Sequence, residues 1–380
     1  MLDQDGYGFL SQPYETISSA RAIRRRERKM EILDSIAAQL LGQLGHAERK
    51  EAIASLRRII DEESCRLAEE EAGAGGLACP RCGSLSFVRR GRDAAGAQRC
   101  LCKDCGRSFN GSARKVLAAS KLGRPAWMRF AECFVDRRPL RECAEECGVS
   151  LKTAFFMRHR VLEALAKRTP AFRVGPGCGA EVDESYFRES FKGNHTNSAF
   201  DMPRPPRRHG RKAPNAEQIC VMTGINDAND IFYALAGRGI STSREKLERT
   251  LGGVVCVGAV VATDGANAFG EFLREAGVAA HVVCPAKGHE LNRVNGMHSR
   301  MKEFFRPFHG VSTKHLHSYL AWFKWVWSFK AGRRREELSA LAVKQVLRGT
   351  YDTKWRGYKE KEYPFYGYWE KQQRIHPGLT

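Results

Sequence analysis

Four cysteines in the first third of the chain have the spacing of a metal site. Cys79 and Cys82 form one Cys-x-x-Cys pair, and Cys102 and Cys105 form a second, with 19 residues between the pairs. Glycine follows each pair and permits a tight turn that points both thiolates at one ion. Four thiolates in a closed tetrahedron are preferred ligands of structural zinc, so the spacing predicts a zinc ribbon. Cys100 is a fifth candidate, but Cys-x-Cys matches the first pair poorly.

Two aspartates lie where carboxylates could act together. Asp183 falls within AEVDESYF, a predicted strand, and Asp264 ends the apolar, β-branched run VVCVGAVVATDG, which predicts a buried central strand. Paired carboxylates hold hard cations such as Mg²⁺, and two such ions can promote phosphoryl transfer. The ordinary alternative for Asp264 is capping of the turn that follows the strand.

A third candidate row occurs in VNGMHSRMK, from Val294 to Lys302. On a helix, Asn295, His298 and Lys302 fall at i, i+3 and i+7 and share one face. Such a row could bind a metal and a phosphate, or it could be a solvated polar stripe. Taken alone, the row does not distinguish these two interpretations.

The pattern of apolar and polar residues from 175 to 335 predicts the strands and helices that must position these candidate residues. Three strand-like segments come first, followed by SREKLERTL as a helix, the apolar run ending at Asp264, FGEFLREAG as a helix and HVVCP as a last strand. The order β-β-β-α-β-α-β-α predicts a mixed α/β domain with one wholly buried strand.

Residues 113–170 have the pattern of a helix-turn-helix. One helix is predicted at about 125–135, a second from Pro139 to Cys147, and a third from Leu151, after the turn Gly148-Val149-Ser150. Ordinary helical hairpins share this pattern. The side chains predicted to contact DNA lie on the third helix: Lys152, Thr153, Arg158 and Arg160.

The bulk properties favour a polyanionic partner. The 380 residues include 63 Lys and Arg against 43 Asp and Glu, a net charge of +20. A positive field of this size attracts nucleic acid. The chain has no membrane-length apolar run and no secretory signal pattern, so we expect a cytoplasmic protein, associated with the nucleoid when bound to DNA. In that compartment the 13 cysteines serve metal binding or burial rather than disulfides.

Three further segments are predicted only coarsely. Residues 1–75 read as two amphipathic helices, either a cap or an arm led by Arg21, Arg24, Arg25 and Arg26; the ribbon follows at 76–112. The segment Phe191–Pro214 is either a DNA-ordered arm or a surface loop. Residues 336–380 form a basic, aromatic tail, suited either to DNA ends or to packing as a C-terminal wrap.

Several of these blocks, in this order, resemble insertion-sequence transposases of the DDE superclass. They are the cysteine ribbon, the helix-turn-helix, EVDESYFRESFKGNH, ATDG, VNGMHSRMK and GVSTKHLHSYLAWF. The likeness covers about residues 76–325 and is closest to the group with an N-terminal zinc ribbon. That group has an Asp, Asp, then Asn, Glu or His, then Lys signature.

The resemblance implies an RNase H-like catalytic domain that holds two Mg²⁺ or Mn²⁺ ions and performs DNA strand cleavage and strand transfer. Asp183 and Asp264 match the two acidic positions, and Asn295 and Lys302 keep the spacing of the third and fourth. Asn295 is a neutral, weak ligand, so His298 is a possible replacement. Glu181, two residues before Asp183, is a possible additional site residue because it shares the same strand face.

The implied partners are double-stranded DNA, both the terminal inverted repeats of an element and a target, and further copies of the chain, because two ends must be held together. Two other hypotheses remain open from sequence. One is a transposase-derived DNA-binding protein whose Asn-containing site no longer cleaves. The other, a zinc-ribbon protein acting on RNA, fits the Asp–Asp–helix order less well.

Overall fold

A computed structural model describes residues 78–93, 98–110, 115–117, 120–192, 218–284, 291–353 and 357–365, with scattered positions at 35–59 and at 367, 368 and 371. The chain divides into two compact units, Met1–Ser64 and Cys65–Thr380. In the first unit, the described positions are mostly helical, as the amphipathic pattern predicts, and the predicted arginine arm lies outside the described residues. No helix in the described ranges is long and apolar enough to cross a membrane.

The second unit begins with a small three-stranded antiparallel sheet that contains the cysteine pairs. Its strands, in the order β1-β2-β3, are β1 (Phe87–Arg92), β2 (Gln98–Cys102) and β3 (Ser108–Asn110). Its apolar core is minimal: Phe87 and Phe109 meet edge to face with ring centroids 5.7 Å apart, beside buried Cys100. A core of this size cannot stabilise a fold without help from a metal.

Three helices follow, at the places that the helix-turn-helix pattern predicts: α1 (Arg124–Val135), α2 (Leu140–Glu146) and α3 (Leu151–Ala166). Gly148, with φ +61°, ends the turn region after α2 in the left-handed conformation that glycine tolerates best. The Ser150 hydroxyl accepts a hydrogen bond from the Thr153 amide and so caps α3, as its position before the helix predicts.

A five-stranded mixed sheet comes next, built by β4 (Gly179–Arg188), β5 (Gln218–Asn226), β6 (Ile231–Arg238), β7 (Val260–Thr263) and β8 (Ala280–Val283). The spatial order is β6-β5-β4-β7-β8. β5 pairs antiparallel with β4 and β6, whereas β7 runs parallel to β4 and β8. The predicted mixed α/β architecture and the predicted order of its elements are therefore observed.

The remaining helices cover the sheet and extend the core: α4 (Arg244–Leu251), α5 (Asn267–Glu275), α6 (Asn292–Phe305), α7 (Thr313–Lys330), α8 (Arg335–Arg348) and α9 (Gly357–Glu360). Alternate residues of β5 enter two different cores, because successive strand side chains point to opposite faces. Ile219 and Val221 join the core containing α6, while Cys220 and Met222 join the core of α4 and α5.

The buried strand is not the one predicted. The apolar run at 254–265 was expected to form one long central strand, but only Val260–Thr263 is strand. Gly258 has φ +80°, a left-handed turn conformation that interrupts the run. β5, buried along almost its whole length, is the most enclosed strand instead.

The helical segment, the sheet and the predicted C-terminal tail share one hydrophobic core rather than forming separate domains. Phe134 of α1 stacks on Trp322 of α7 at 4.2 Å between ring centroids, and Val116 and Val346 lie in the same cluster. The boundaries predicted at 170 and 335 therefore do not separate compact units. Of the two interpretations of the tail, the structure favours packing for α8, which buries Leu338 and Val346.

Candidate active site

The sheet register brings Asp183 and Asp264 together. β4 and β7 are parallel, and Glu181 lies opposite Ala262. Continuing this register by two residues places Asp183 opposite Asp264, which directly follows the last residue of β7. Gly265, with φ +83°, makes the sharp turn after Asp264, and a Cβ there would collide with Val283.

A third carboxylate, Glu184, joins this pair. Ligand oxygens of Asp183, Glu184 and Asp264 all lie within 4.8 Å of one another, a separation compatible with a shared cation. Glu184 is not predicted beside Asp183 from the sequence, because neighbouring residues on an ideal strand point to opposite faces. No sequence signal distinguished it, because the same strand also carries Glu181 and Asp183; in the structure Glu184 is 8% exposed and accepts a hydrogen bond from Thr242.

The electrostatics of this acidic cluster favour a bound cation. Burial raises the pKa of Asp183 to about 7, and the charges of Glu184 and Asp264 act in the same direction. Burial also raises the pKa of Glu184. Among the described residues, no lysine or arginine forms an ion pair with these three carboxylates. Hard oxygen donors without a protein counter-ion suit Mg²⁺ or Mn²⁺, so the residues fit such an ion.

His298 reaches the cluster from α6. Its Nδ1 lies 3.7 Å from Asp183 Oδ2, and its Nε2 lies 2.6 Å from the hydroxyl of Thr223, the residue opposite Asp183 on β5. Burial, and the nearby charge of Lys302, lower the pKa of His298 to about 4, so the ring is neutral at pH 7.

The hydrogen bonds of Thr223 assign the tautomer of His298. The Thr223 hydroxyl has one proton and donates it to the backbone carbonyl of Asp183 at 2.7 Å, since a carbonyl can only accept. Thr223 must then accept from His298, which places the imidazole proton on Nε2. The Nδ1 lone pair is left facing Asp183, which is the arrangement that a metal-binding histidine requires.

The other predicted residues of this region are placed differently. Asn295 is exposed near the start of α6, so His298, one turn later, is the residue that this helix brings to Asp183. Lys302 is exposed one turn beyond His298. Glu181 is not in the acidic cluster: its carboxylate accepts the Val294 amide at 2.9 Å and anchors the first turn of α6 to β4.

The four predicted cysteine ligands converge. Sγ atoms are 3.6 Å apart for Cys79 and Cys105 and 3.5 Å apart for Cys82 and Cys102, and all four lie within 4.8 Å of one another. The two loops have the same hydrogen bonds: the amides of Gly83 and Gly106 donate to the carbonyls of the first cysteines at 2.9 Å and 3.1 Å.

Both glycines have positive φ, +75° and +66°, as the motif predicts. Hydrogen bonding from the Cys82 backbone lowers the pKa of Cys79 to about 6, toward the thiolate form that binds metal. Cys100 lies on the same strand as Cys102 but outside the four-cysteine group, buried against Phe109 in the ribbon core. The donor set, four thiolates from two matching loops, fits structural zinc.

Two of the four predicted DNA contacts are corrected by the structure. Arg158 and Arg160 are 2% and 4% exposed. The Arg158 guanidinium donates to the carbonyl of Arg138, and that of Arg160 donates to the carbonyl of Val116 at 2.9 Å. The sequence pattern predicted both arginines on a solvated recognition face. In the structure, α3 is buried on nearly all sides after its first turn. Lys152 and Thr153, in that first turn, remain accessible to a ligand.

Comparisons with known proteins identify a relative in a mobile element. No protein-family model matches the chain. An uncharacterized protein in transposable element ISH50 of Halobacterium salinarum is 25% identical over 276 residues, which cover 70% of this chain and 90% of that protein. This similarity confirms the resemblance to insertion-sequence proteins. The crystal structure of a pre-cleavage Mos1 transpososome matches 56% of this chain and 75% of its own at 14% identity, with a TM-score of 0.24, too low to support an argument.

Proposed function

We propose that this chain is a transposase that binds the ends of an insertion sequence and catalyses metal-dependent DNA strand cleavage and strand transfer. The observation that supports this most strongly is the convergence of Asp183, Glu184 and Asp264, with His298 beside Asp183 and no lysine or arginine partner among the described residues. The net charge of +20 supplies the attraction for DNA, and the relative in ISH50 supplies the biological setting.

The strand arrangement supports an RNase H-like catalytic domain. Three antiparallel strands, β4 to β6, are followed by two parallel strands on the far side of β4. The two aspartates then occupy the centre of the sheet and the adjacent strand end, and α6 brings His298 to within 3.7 Å of Asp183. The fold thereby gathers residues from distant parts of the chain at one edge of one strand pair.

The acidic cluster would hold Mg²⁺ or Mn²⁺ through Asp183, Glu184 and Asp264, with His298, beside Asp183, as a further donor. Two bound divalent cations supply activation of a hydroxyl nucleophile and stabilisation of the leaving oxygen in phosphoryl transfer. The chain itself contributes orientation: Glu181 fixes α6 against β4, and Thr223 fixes the His298 ring. Exposed Lys302 contributes a positive charge beside the site for a DNA phosphate.

The remaining parts would bind DNA and hold the complex together. The ribbon would be stabilised by one Zn²⁺ on Cys79, Cys82, Cys102 and Cys105. Lys152 and Thr153, at the start of α3, would contact base edges, as the first residues of a helix-turn-helix recognition helix do. A dimer or larger assembly on DNA is part of the proposal, because transposition requires two element ends in one complex.

A strand-joining assay tests this function. Purified full-length protein is incubated with labelled duplexes bearing the repeats that flank its gene, a supercoiled target plasmid, and either Mg²⁺ or Mn²⁺. Joined product is expected from the wild type, with at least about a hundredfold loss in Asp264→Asn, because a cation site missing one carboxylate loses affinity and position.

Glu245→Gln is a suitable control for that assay. The Glu245 side chain lies on the surface of α4 and is 88% exposed. Removing its charge should leave strand joining unchanged. Specific binding of the repeat ends by the wild type, with no cleavage in either metal, would contradict the catalytic proposal. That outcome would favour the alternative, an inactive transposase-derived DNA-binding protein.

A further inference from the structure

A cavity of about 290 Å³ lies between the helix-turn-helix segment and the N-terminal end of α7, away from the acidic cluster. Its wall includes Arg158 from α3 and Ser312, Lys314 and Tyr319 from the α7 region, with Lys192 from the segment after β4. The lining contains three cationic side chains and no carboxylate. A partly open cavity with this imbalance of charge suits an anionic ligand.

Arg158 is the first observation that points to such a ligand. Its guanidinium is almost completely buried, lies 5.3 Å from the centre of the Trp322 ring and donates to the carbonyl of Arg138. Within the described part of the chain no carboxylate pairs with it, and its Nε has no hydrogen-bond partner. A buried charge without a counter-ion is unfavourable, so an anion in the adjoining cavity would stabilise it.

Ser312 provides an independent observation. It occupies the N-cap position of the 18-residue helix α7, yet its hydroxyl makes no capping bond. The residue is 7% exposed, and its Oγ is buried without a partner in the wall of the cavity. A helix N-terminus carries partial positive charge, and this hydroxyl can donate to an anion placed there.

Aromatic residues complete the wall and indicate what accompanies the anion. Phe155, Phe308 and Tyr319 line the cavity together with the ring pair His159 and His315, whose centroids are 4.1 Å apart. Burial lowers the pKa of both histidines, so the rings add neutral surface rather than charge. Cationic side chains bind a phosphate and aromatic rings stack on a base, so the two together can recognise a nucleotide.

We propose that this cavity binds a single nucleotide unit, with its phosphate against Arg158, Ser312 and Lys314 and its base against the aromatic wall. The source would be an unpaired nucleotide of the DNA that the proposed function requires, or a free nucleotide with the same chemistry. This inference therefore deepens the proposed function.

Two hydrogen bonds join the cavity wall to the segment that follows the strand carrying Asp183. The amide of Thr313, the first residue of α7, donates to the carbonyl of Ser190 at 2.9 Å, and the Ser190 amide donates to the Thr313 hydroxyl at 2.8 Å. Ser190 follows Asp183 by seven residues, roughly 23 Å along an extended chain.

Binding measurements on the zinc-loaded full-length protein test the inference. The probes are dAMP, inorganic phosphate, a blunt duplex and the same duplex with one unpaired terminal nucleotide. The variant is Lys314→Met, which keeps side-chain length and removes the charge. The matched control is Lys330→Met, at the exposed far end of the same helix. Circular dichroism verifies folding, and Mn²⁺ binding reports on the acidic cluster separately.

The wild type should bind dAMP more tightly than inorganic phosphate, and Lys314→Met should weaken dAMP binding by about tenfold, the effect of losing one charged hydrogen bond. Lys330→Met should match the wild type, and Mn²⁺ binding should be the same in all three. Competition by the unpaired duplex but not the blunt one identifies DNA as the source, whereas competition by neither identifies a free nucleotide.

Equal dAMP binding by the wild type and Lys314→Met, or no dAMP binding at all, would overturn the inference. These results are independent of strand joining. A protein that joins strands but ignores dAMP would refute the nucleotide cavity and leave the transposase proposal intact. A protein that binds dAMP but joins no strands would support the nucleotide cavity and contradict the transposase proposal.

Discussion

Replacing Asp183 by Asn should stabilise the metal-free protein. Folding raises the pKa of Asp183 from 3.8 to about 7, chiefly by burial. An acid whose pKa rises on folding keeps a proton that the unfolded chain releases. Its contribution therefore favours folding at low pH, and stability is lost as the pH rises from about 4 to about 7. Asn has a similar shape and never ionises, so Asp183→Asn should remove this loss.

The magnitude follows from the two pKa values. A pKa of about 7 in the folded protein, against 3.8 in the unfolded chain, lowers the free energy of unfolding by roughly 4 kcal/mol at pH 8 and by roughly 2 kcal/mol at pH 5. These are upper limits, since water entry and side-chain rearrangement reduce the cost of a buried charge. The stability advantage of Asp183→Asn should therefore grow by up to roughly 2–3 kcal/mol between pH 5 and pH 8.

Calorimetric melting at pH 5 and pH 8, in buffers free of Mg²⁺ and Mn²⁺, measures this difference. Chelators are avoided because they would also remove zinc from the ribbon. The variant should melt several degrees above the wild type at pH 8, with a smaller gap at pH 5. Adding Mn²⁺ should raise the melting temperature of the wild type only. A variant that melts at or below the wild type at both pH values would refute the buried-charge reasoning.

Three further predictions concern the supporting residues. Thr223→Val should lower Mn²⁺ affinity by about 10–100-fold in isothermal titration, because the His298 ring loses its orienting partner; unchanged affinity would show that the tautomer assignment is wrong. Cys82→Ala should reduce bound zinc from one ion per chain to less than half by elemental analysis and expose the ribbon to protease, whereas Cys100→Ala should retain the zinc. Ser150→Ala should destabilise the helical segment by about 1 kcal/mol through loss of the α3 cap, measured by denaturant unfolding; no change would mean that the cap is redundant.

The sequence predicted those features that depend on local spacing. The Cys-x-x-Cys pairs with their following glycines predicted the four cysteines that the structure brings together, and Ser150 after Gly148 predicted the start of α3. Asp183 and Asp264 were found as a pair because both fall at predicted strands, and the resemblance supplied their role. His298 was the second candidate for the third ligand after Asn295, and it is His298 that lies 3.7 Å from Asp183.

What could not be predicted depends on long-range packing. Arg158 and Arg160 read as a solvated face because arginine is seldom buried, but α3 is enclosed by α7 and α8. Glu184 was missed because strand alternation argued against it. Glu181 anchors a helix more than a hundred residues away, a contact that no local pattern encodes. The cavity at α7 likewise depends on elements distant in sequence.

Sulfur substitution at the scissile phosphate tests most directly whether metal held by the cluster of Asp183, Glu184 and Asp264 acts on DNA. Strand cleavage is compared on an ordinary duplex end and on one carrying a non-bridging phosphorothioate, in Mg²⁺ and in Mn²⁺. The account predicts slow cleavage of the sulfur-containing DNA in Mg²⁺ and recovery in Mn²⁺, which accepts softer ligands. Equal cleavage of both substrates in both metals, or cleavage that survives Asp183→Asn, would contradict a metal-dependent site at this sheet edge.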